Sequence, residues 1–232
     1  MMLFTGITIL CDINLCAEYC DYVEGLLCSF VEHFGSVYGQ ETMIYNMHGL
    51  IHLPEQSRRF GPLHNFSGFP FENYLQKIKK LIRKPEFPLQ QAVRRLAEKM
   101  HLTPPLNILE IICKKEHRRG PLPHNIAVFE QYEQIYMTKF MLSIRRPDNA
   151  ILVGENTYLV KNILCQGDDR QCVCQRFRHR ESYFTYPFDS LKINISLVSG
   201  LSEHLETFDV SKLVTKVVLL PLKDKFVSIP MI

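Results

Sequence analysis

The stretch RRGPLPHN, residues 118–125, separates two hydrophobic patterns in this chain of 232 residues. Before it, apolar residues recur at steps of three and four, the spacing of an amphipathic helix. After it, short runs rich in β-branched and aromatic residues are separated by Gly, Asp, Asn and Pro, which is typical of strands joined by turns. Charge, Gly and two prolines mark a linker. We therefore predict an α+β protein with a helical segment over residues 1–119 and a small antiparallel β domain over residues 126–232.

Three amphipathic helices are predicted in the first segment. The first helix ends at Gly35 or Gly39 and has one apolar stripe. The stripe consists of Leu15, Tyr19, Tyr22, Val23, Leu26, Leu27, Phe30, Val31 and Phe34. Pro70 opens the second helix, because its fixed φ suits a first turn. The face of this helix predicted to be buried comprises Phe71, Tyr74, Leu75, Ile78, Leu81 and Ile82. The third helix covers residues 89–100.

The second segment contains strand-like runs. They are QIYMTKFMLSI, AILVGENTYLVKNILC, RQCVCQRF, KINISLVS, LVTKVVLLPL and KFVSIPMI. Five or six short strands in about 100 residues favour a small barrel or sandwich, similar to an SH3-like or bromo-adjacent-homology module.

Composition restricts the class of protein. No apolar run approaches the ~20 residues that a membrane helix needs, and the N-terminal MMLFTGITIL lacks the positive region of a signal peptide. We predict a soluble, intracellular protein that is neither secreted nor membrane-bound. The eight cysteines lack the arrangement of a small disulfide scaffold, so we expect thiols or metal ligands.

Charge is unevenly distributed along the chain. Residues 1–57 contain seven acidic residues and no Lys or Arg, whereas residues 58–119 contain fourteen basic and five acidic residues. This separation favours an anionic partner for the middle segment. An equally simple interpretation is that the acidic helix lies against the basic one.

Three stretches carry a family resemblance. They are CDINLCAEYCDYVEGLLCSFVEHFGSVYG, YNMHGLIHLPEQSRRFGPLHNFSGFPFENYLQKIKKLIRK and PLQQAVRRL. They resemble the C-terminal part of transposases of the CACTA (En/Spm) type and related transposon-derived proteins of animals. The order of two histidines, RFGPL, FPFE and a basic helix supports the resemblance, which covers roughly residues 7–100. The later SYFTYPFDSLKINISLVSGLSE and LLPLKDKFVSIPMI are similar to the tail of the same animal proteins.

The resemblance implies a ribonuclease H-like core in which three acidic residues hold two Mg²⁺ or Mn²⁺ ions for cutting and joining DNA in the nucleus. It places the third acid at Glu72 and a zinc-binding histidine pair at His48 and His52. From the residues alone, Glu72 is also explained by the helix dipole, which favours a carboxylate in a first turn. Zinc takes four ligands, and no nearby CxxC completes the set, so packed core histidines are the preferred interpretation of the pair.

The family's first two acids lie upstream of the matched segment, and this chain begins just before that segment. One carboxylate does not hold two metal ions, so we expect the chain alone not to cut DNA. We interpret it as a truncated or gene-model fragment of a transposase, or as a domesticated remnant. An active nuclease would require a partner chain that supplies two acids.

The basic residues of the middle segment are candidate contacts to DNA. They are Arg58, Arg59, Lys77, Lys79, Lys80, Arg83, Lys84, Arg94 and Arg95. Such contacts are expected at the phosphate backbone and carry little sequence specificity. The alternative is a protein-interaction module, in which the β domain binds a peptide or a chromatin protein and the basic helices only pack.

Overall fold

The computed structural model describes residues 1–102, 111–123, 130–137, 140–167, 169–210 and 215–231. For residues 99–102 it describes the backbone only. The chain divides into two compact units. One comprises Met1–Ile9 and Glu110–Ile232, and the other comprises Leu10–Leu109. Helices dominate the second of these units and antiparallel strands the first, so the predicted α+β class is confirmed.

Helices occupy the N-terminal part of the described chain. They are α1 (Met2–Cys11), α2 (Ile13–Tyr38), α3 (Tyr45–Gly49), α4 (Leu53–Phe60), α5 (Phe69–Lys79) and α6 (Pro88–Leu102). Short 3-10 turns cover Gln40–Thr42, Leu50–His52 and Leu63–Asn65. Across the described residues, no helix combines the length and apolar character that crossing a membrane requires.

Helix α2 follows directly from its sequence. The Asp12 side chain accepts hydrogen bonds from the backbone N–H groups of Asn14 and Leu15, which satisfies free donors at the helix start. The helix ends at Gly39, whose φ of 92° suits a residue without a Cβ. Its buried residues include Val23, Leu26, Leu27 and Val31 of the predicted stripe, whereas Tyr22 of that stripe is 40% exposed. The predicted helix is therefore confirmed and its predicted buried face is confirmed in part.

Helix α5 differs from its prediction. Its residues include none that is buried, and Phe71 and Leu75 are 75% and 62% exposed. Ile78 is only half-buried. Leu81 and Ile82, which the sequence places in the same helix, follow its end at Lys79 and are also half-buried. The periodicity correctly indicates a helix with an apolar face, but the described part of this unit does not cover that face.

Strands form the C-terminal part. They are β1 (Ile112–His117), β2 (Glu130–Tyr136), β3 (Met141–Ser143), β4 (Ala150–Val153), β5 (Asn156–Gln166), β6 (Asp169–Ser182), β7 (Ser196–Asp209), β8 (Thr215–Leu222) and β9 (Lys225–Pro230). Hydrogen-bonded neighbours follow the order β1-β2-β5-β4-β8-β9-β7-β6, β3 pairs with β2, and β5 also pairs with β6. All these pairings are antiparallel.

The sheet is larger than predicted. Its described strands form one sheet of nine rather than two packed sheets or a small barrel of five or six strands. The predicted run QIYMTKFMLSI becomes β2 and β3, and AILVGENTYLVKNILC becomes the hairpin of β4 and β5. Residues 138–139 and 213–214 of the predicted runs lie outside the described residues.

The boundary between the segments also differs from the expected one. Strand β1 lies within residues 1–119, which the sequence assigns to the helical segment, and it pairs along β2. Residues 1–9 also belong to the unit that contains the strands. The expected start of the β domain at residue 126, and residues 124–125 of the linker, lie outside the described residues.

The core of the sheet unit is made by alternating side chains from several strands. Ile135, Leu142, Ile151, Val160 and Ile163 are fully buried in one cluster. The same cluster contains Cys165, Cys172 and Cys174, which act as small apolar residues in the interior.

Candidate functional site

The candidate site is the basic segment, defined as residues 77–84 with the side chains of Lys77, Lys79, Lys80, Arg83 and Lys84. It covers the C-terminal end of α5 and the turn that follows. All five cationic side chains are exposed. Within the described ranges, none of these five forms an ion pair. The segment therefore presents uncompensated positive charge to solvent.

One side chain of α6 fixes the backbone of this segment. The Gln91 Oε1 accepts hydrogen bonds from the backbone N–H groups of Arg83 (3.1 Å) and Lys84 (3.3 Å). Its Nε2 donates to the carbonyl oxygens of Lys84 (2.9 Å) and Glu86 (2.5 Å). These four bonds hold the Arg83–Lys84 turn in one conformation, so the two cationic side chains start from defined positions.

The other predicted DNA contacts are less available. Arg94 forms an ion pair with Glu98 one helical turn later, at 3.1 Å, and Arg95 is half-buried. The guanidinium of Arg59 lies 5.4 Å from the centre of the Phe60 ring. Arg94 and Arg59 thus contact other residues of the chain, and Arg95 is less exposed than the cations of the basic segment.

Arg58 differs from the basic segment in having ion-pair partners. Its guanidinium bonds to the carboxylates of Asp21, at 2.5 Å, and Glu24, both on α2. Hydrogen bonds to Glu24 and Asp21 raise the pKa of Arg58. The interpretation in which the acidic helix lies against basic residues is therefore correct for Arg58, and phosphate binding by Arg58 is not supported.

The predicted histidine pair lies on the surface. His48 is the second-to-last residue of α3, and His52 ends the next 3-10 turn. Their ring centres are 5.2 Å apart in an edge-on arrangement. Both side chains are exposed, so the preferred interpretation as packed core histidines is wrong. In the part of the chain that the structure describes, no three His, Cys, Asp or Glu residues are grouped to hold a metal ion. The pair supplies two ligands, whereas zinc usually takes four.

Glu72 lies where the sequence predicts it, in the first turn of α5. Its side chain is exposed, and its backbone N–H donates to the carbonyl oxygen of Gly68 at 3.0 Å. Among the described residues, Glu72 belongs to no group of three or more side chains that could hold a metal ion. The arrangement fits a carboxylate that interacts favourably with the helix dipole.

A second cluster lies in the sheet unit and escapes the sequence analysis. The Sγ atoms of Cys113 on β1 and Cys165 on β5 are 2.8 Å apart. Both thiols line a pocket of about 420 Å³ with Glu130, Tyr132 and Arg170. The two cysteines are 52 positions apart, and no spacing motif connects them.

Comparison with known proteins locates part of the chain in a family. A domain of unknown function (DUF8592) matches residues 116–231, which is half of the chain. The chain belongs to the DUF8592 family. No curated protein and no solved structure matches the chain.

The DUF8592 match covers strands β2–β9 and the last two residues of β1. Cys165 and Arg170 lie inside the DUF8592 domain, whereas Cys113 lies three residues before it. The basic segment, Glu72 and the histidine pair also precede the domain. The family match therefore concerns the sheet unit and leaves the helical candidate site to be interpreted from its own geometry.

Proposed function

We propose that this chain is a transposon-derived protein, related to CACTA-type transposases, that associates with the DNA backbone and does not cut DNA on its own. The helical unit corresponds to the C-terminal part of a ribonuclease H-like core, and the protein acts in the nucleus. The proposal of DNA binding rests on the basic segment. Its five cations are exposed and lack ion pairs among the described residues.

The charge geometry supports contact with phosphates rather than with bases. Lys77 and Lys79 lie in the last turn of α5 and Lys80 directly follows it. Arg83 and Lys84 come next, in the turn held by Gln91. A Lys or Arg that meets a phosphate releases condensed counterions, which gives affinity without sequence preference. The basic segment is long enough to meet several phosphates.

The expected result is salt-dependent binding of the full chain to duplex DNA. Fluorescence anisotropy with two unrelated duplexes of equal length, at about 50 to 200 mM salt, measures the slope of log affinity against log salt. Three to five phosphate contacts predict a slope of about −2.7 to −4.5 for both duplexes. No binding at the lowest salt would contradict the proposal, and a strong preference for one duplex would contradict its backbone character.

The second expected result is the lack of strand cleavage. With Mg²⁺ or Mn²⁺, the purified chain should neither nick supercoiled DNA nor join ends, because Glu72 alone cannot hold two metal ions. Gel analysis of a plasmid over several hours measures this, with Glu72→Gln as the matched variant. Cleavage by the unaltered chain that disappears in Glu72→Gln would show that further acids complete a site.

A protein-interaction function is the second candidate, and the uncovered face of α5 favours it. Phe69, Phe71 and Leu75 are all more than half exposed beside Lys79 and Lys80. This combination fits an acidic amphipathic helix of a partner protein, which would cover the apolar side chains and pair with the lysines. Salt-insensitive capture of such a peptide, together with failure to bind DNA, would favour this candidate over the first.

A further inference from the structure

We propose that Cys113 and Cys165 are a peroxide-sensitive dithiol that closes to an intramolecular disulfide, with Cys113 as the reacting thiol. The two Sγ atoms are already 2.8 Å apart, and a disulfide requires about 2.05 Å. Closure therefore needs a shift of less than about 1 Å, which side-chain rotation can supply. Both cysteines are free thiols in the structure.

The two cysteines lie on two strands that flank β2. Cys165 lies opposite Glu130 of β2 on one side and Arg170 of β6 on the other. Cys113 comes from β1, which pairs with the other edge of β2. Cys165 is buried, whereas Cys113 is partly exposed at the pocket. A small oxidant therefore meets Cys113 first, and Cys165 is placed to react with the oxidised sulfur.

The electrostatics favour the same division of roles. The hydrogen bond with Cys165 lowers the pKa of Cys113 to about 7, and Arg170 contributes in the same direction, against burial and the charge of Glu130. The hydrogen bond with Cys113, followed by burial, raises the pKa of Cys165. Thiolates, not thiols, attack peroxides. Cys113 is thus the nucleophile, and Cys165 remains protonated until the second step.

The chemistry balances with hydrogen peroxide as the oxidant. The Cys113 thiolate attacks one peroxide oxygen, the O–O bond breaks, and a sulfenic acid forms while hydroxide leaves and takes a proton to become water. The Cys165 sulfur then attacks the Cys113 sulfur, the S–O bond breaks, and a second water leaves with the Cys165 proton. Two thiols supply two electrons, and one peroxide becomes two waters.

Peroxide treatment of the reduced full chain tests this directly. After residual thiols are blocked with N-ethylmaleimide, peptide mass spectrometry should find a cross-linked pair containing Cys113 and Cys165. Cys113→Ser should abolish the cross-link, and Cys165→Ala should leave Cys113 as a sulfenic acid that dimedone traps. Cys28→Ser is the matched control, because Cys28 is half-buried on α2, and it should leave the cross-link unchanged.

The rate supplies a second readout that does not depend on a variant. It should rise with pH through about 7 in the unaltered chain, because the Cys113 thiolate is the reactive form. Cross-links among other cysteines, or oxidation of Cys113 with no bond to Cys165 in the unaltered chain, would overturn the proposal. So would a rate that is constant across this pH range. Urea unfolding of each variant shows whether the fold is retained.

Discussion

Replacing Lys79, Lys80 and Arg83 together with Gln should reduce the salt dependence of DNA binding by about 2.7 units of slope, since each lost phosphate contact removes about 0.9. Affinity at about 50 mM salt should fall steeply for every duplex alike, because phosphate contacts carry no sequence information. The cause is specific to this surface: the three side chains are exposed. Anisotropy titrations at several salt concentrations measure the slope.

Arg58→Gln is the matched control for this series. Arg58 is also a cation of the helical unit, but its guanidinium is paired with Asp21 and Glu24. Removing it should leave the slope unchanged. If the triple variant kept the salt slope of the unaltered chain, the basic segment would not be the DNA contact. The same conclusion would follow if Arg58→Gln reduced the salt slope by about 0.9, the value expected for one lost phosphate contact. The acidic-helix partner would then be the better interpretation of this surface.

Leu27→Ala should lower the free energy of unfolding by about 2 to 5 kcal/mol, because Leu27 is fully buried on α2 and its truncation leaves a cavity. Leu75→Ala removes the same atoms from α5 at a side chain that is 62% exposed, so its cost should stay within about 0.5 kcal/mol. Ile163→Ala, in the fully buried core of the sheet unit, should cost as much as Leu27→Ala. Urea unfolding followed by circular dichroism measures all three.

The comparison between the two leucines is informative because the chemistry is identical. A cost for Leu75→Ala as large as that for Leu27→Ala would mean that the apolar face of α5 is covered in solution. Dependence of that cost on protein concentration would then identify a second copy of the chain as the cover, since association stabilises by mass action.

The elements of this fold were predictable where local pattern decides them. In α2 the apolar stripe and its terminal glycine, Gly39, specify both the helix and its buried side. The run AILVGENTYLVKNILC was correctly predicted as β structure but as one strand-like run, whereas the structure divides it into β4 and β5 at a turn where Gly154 has a φ of 59°. Strand β1 was missed because its sequence, ICKKEH, is polar and lacks the alternation of a half-buried strand.

The features that were not predictable depend on what each residue meets in space. Periodicity shows that α5 has an apolar face but does not show what covers it, so Phe71 was expected in a core and is exposed. The count of charges does not reveal that Arg58 is neutralised by α2. The meeting of Cys113 and Cys165 depends on strand order, which a single sequence does not specify.

Strand β1 has a practical consequence for how the protein is cut into fragments. A recombinant piece designed from the family match would start at residue 116 and would lack the partners of Gln134, Ile135 and Tyr136 along one side of β2. Unpaired backbone N–H and C=O groups at the edge of a strand can form hydrogen bonds with strands of other chains, so such a fragment should be prone to aggregation. It would also omit one of the two neighbouring sulfur atoms and so be unable to report on oxidation. Expression boundaries chosen before Ile112 avoid both defects.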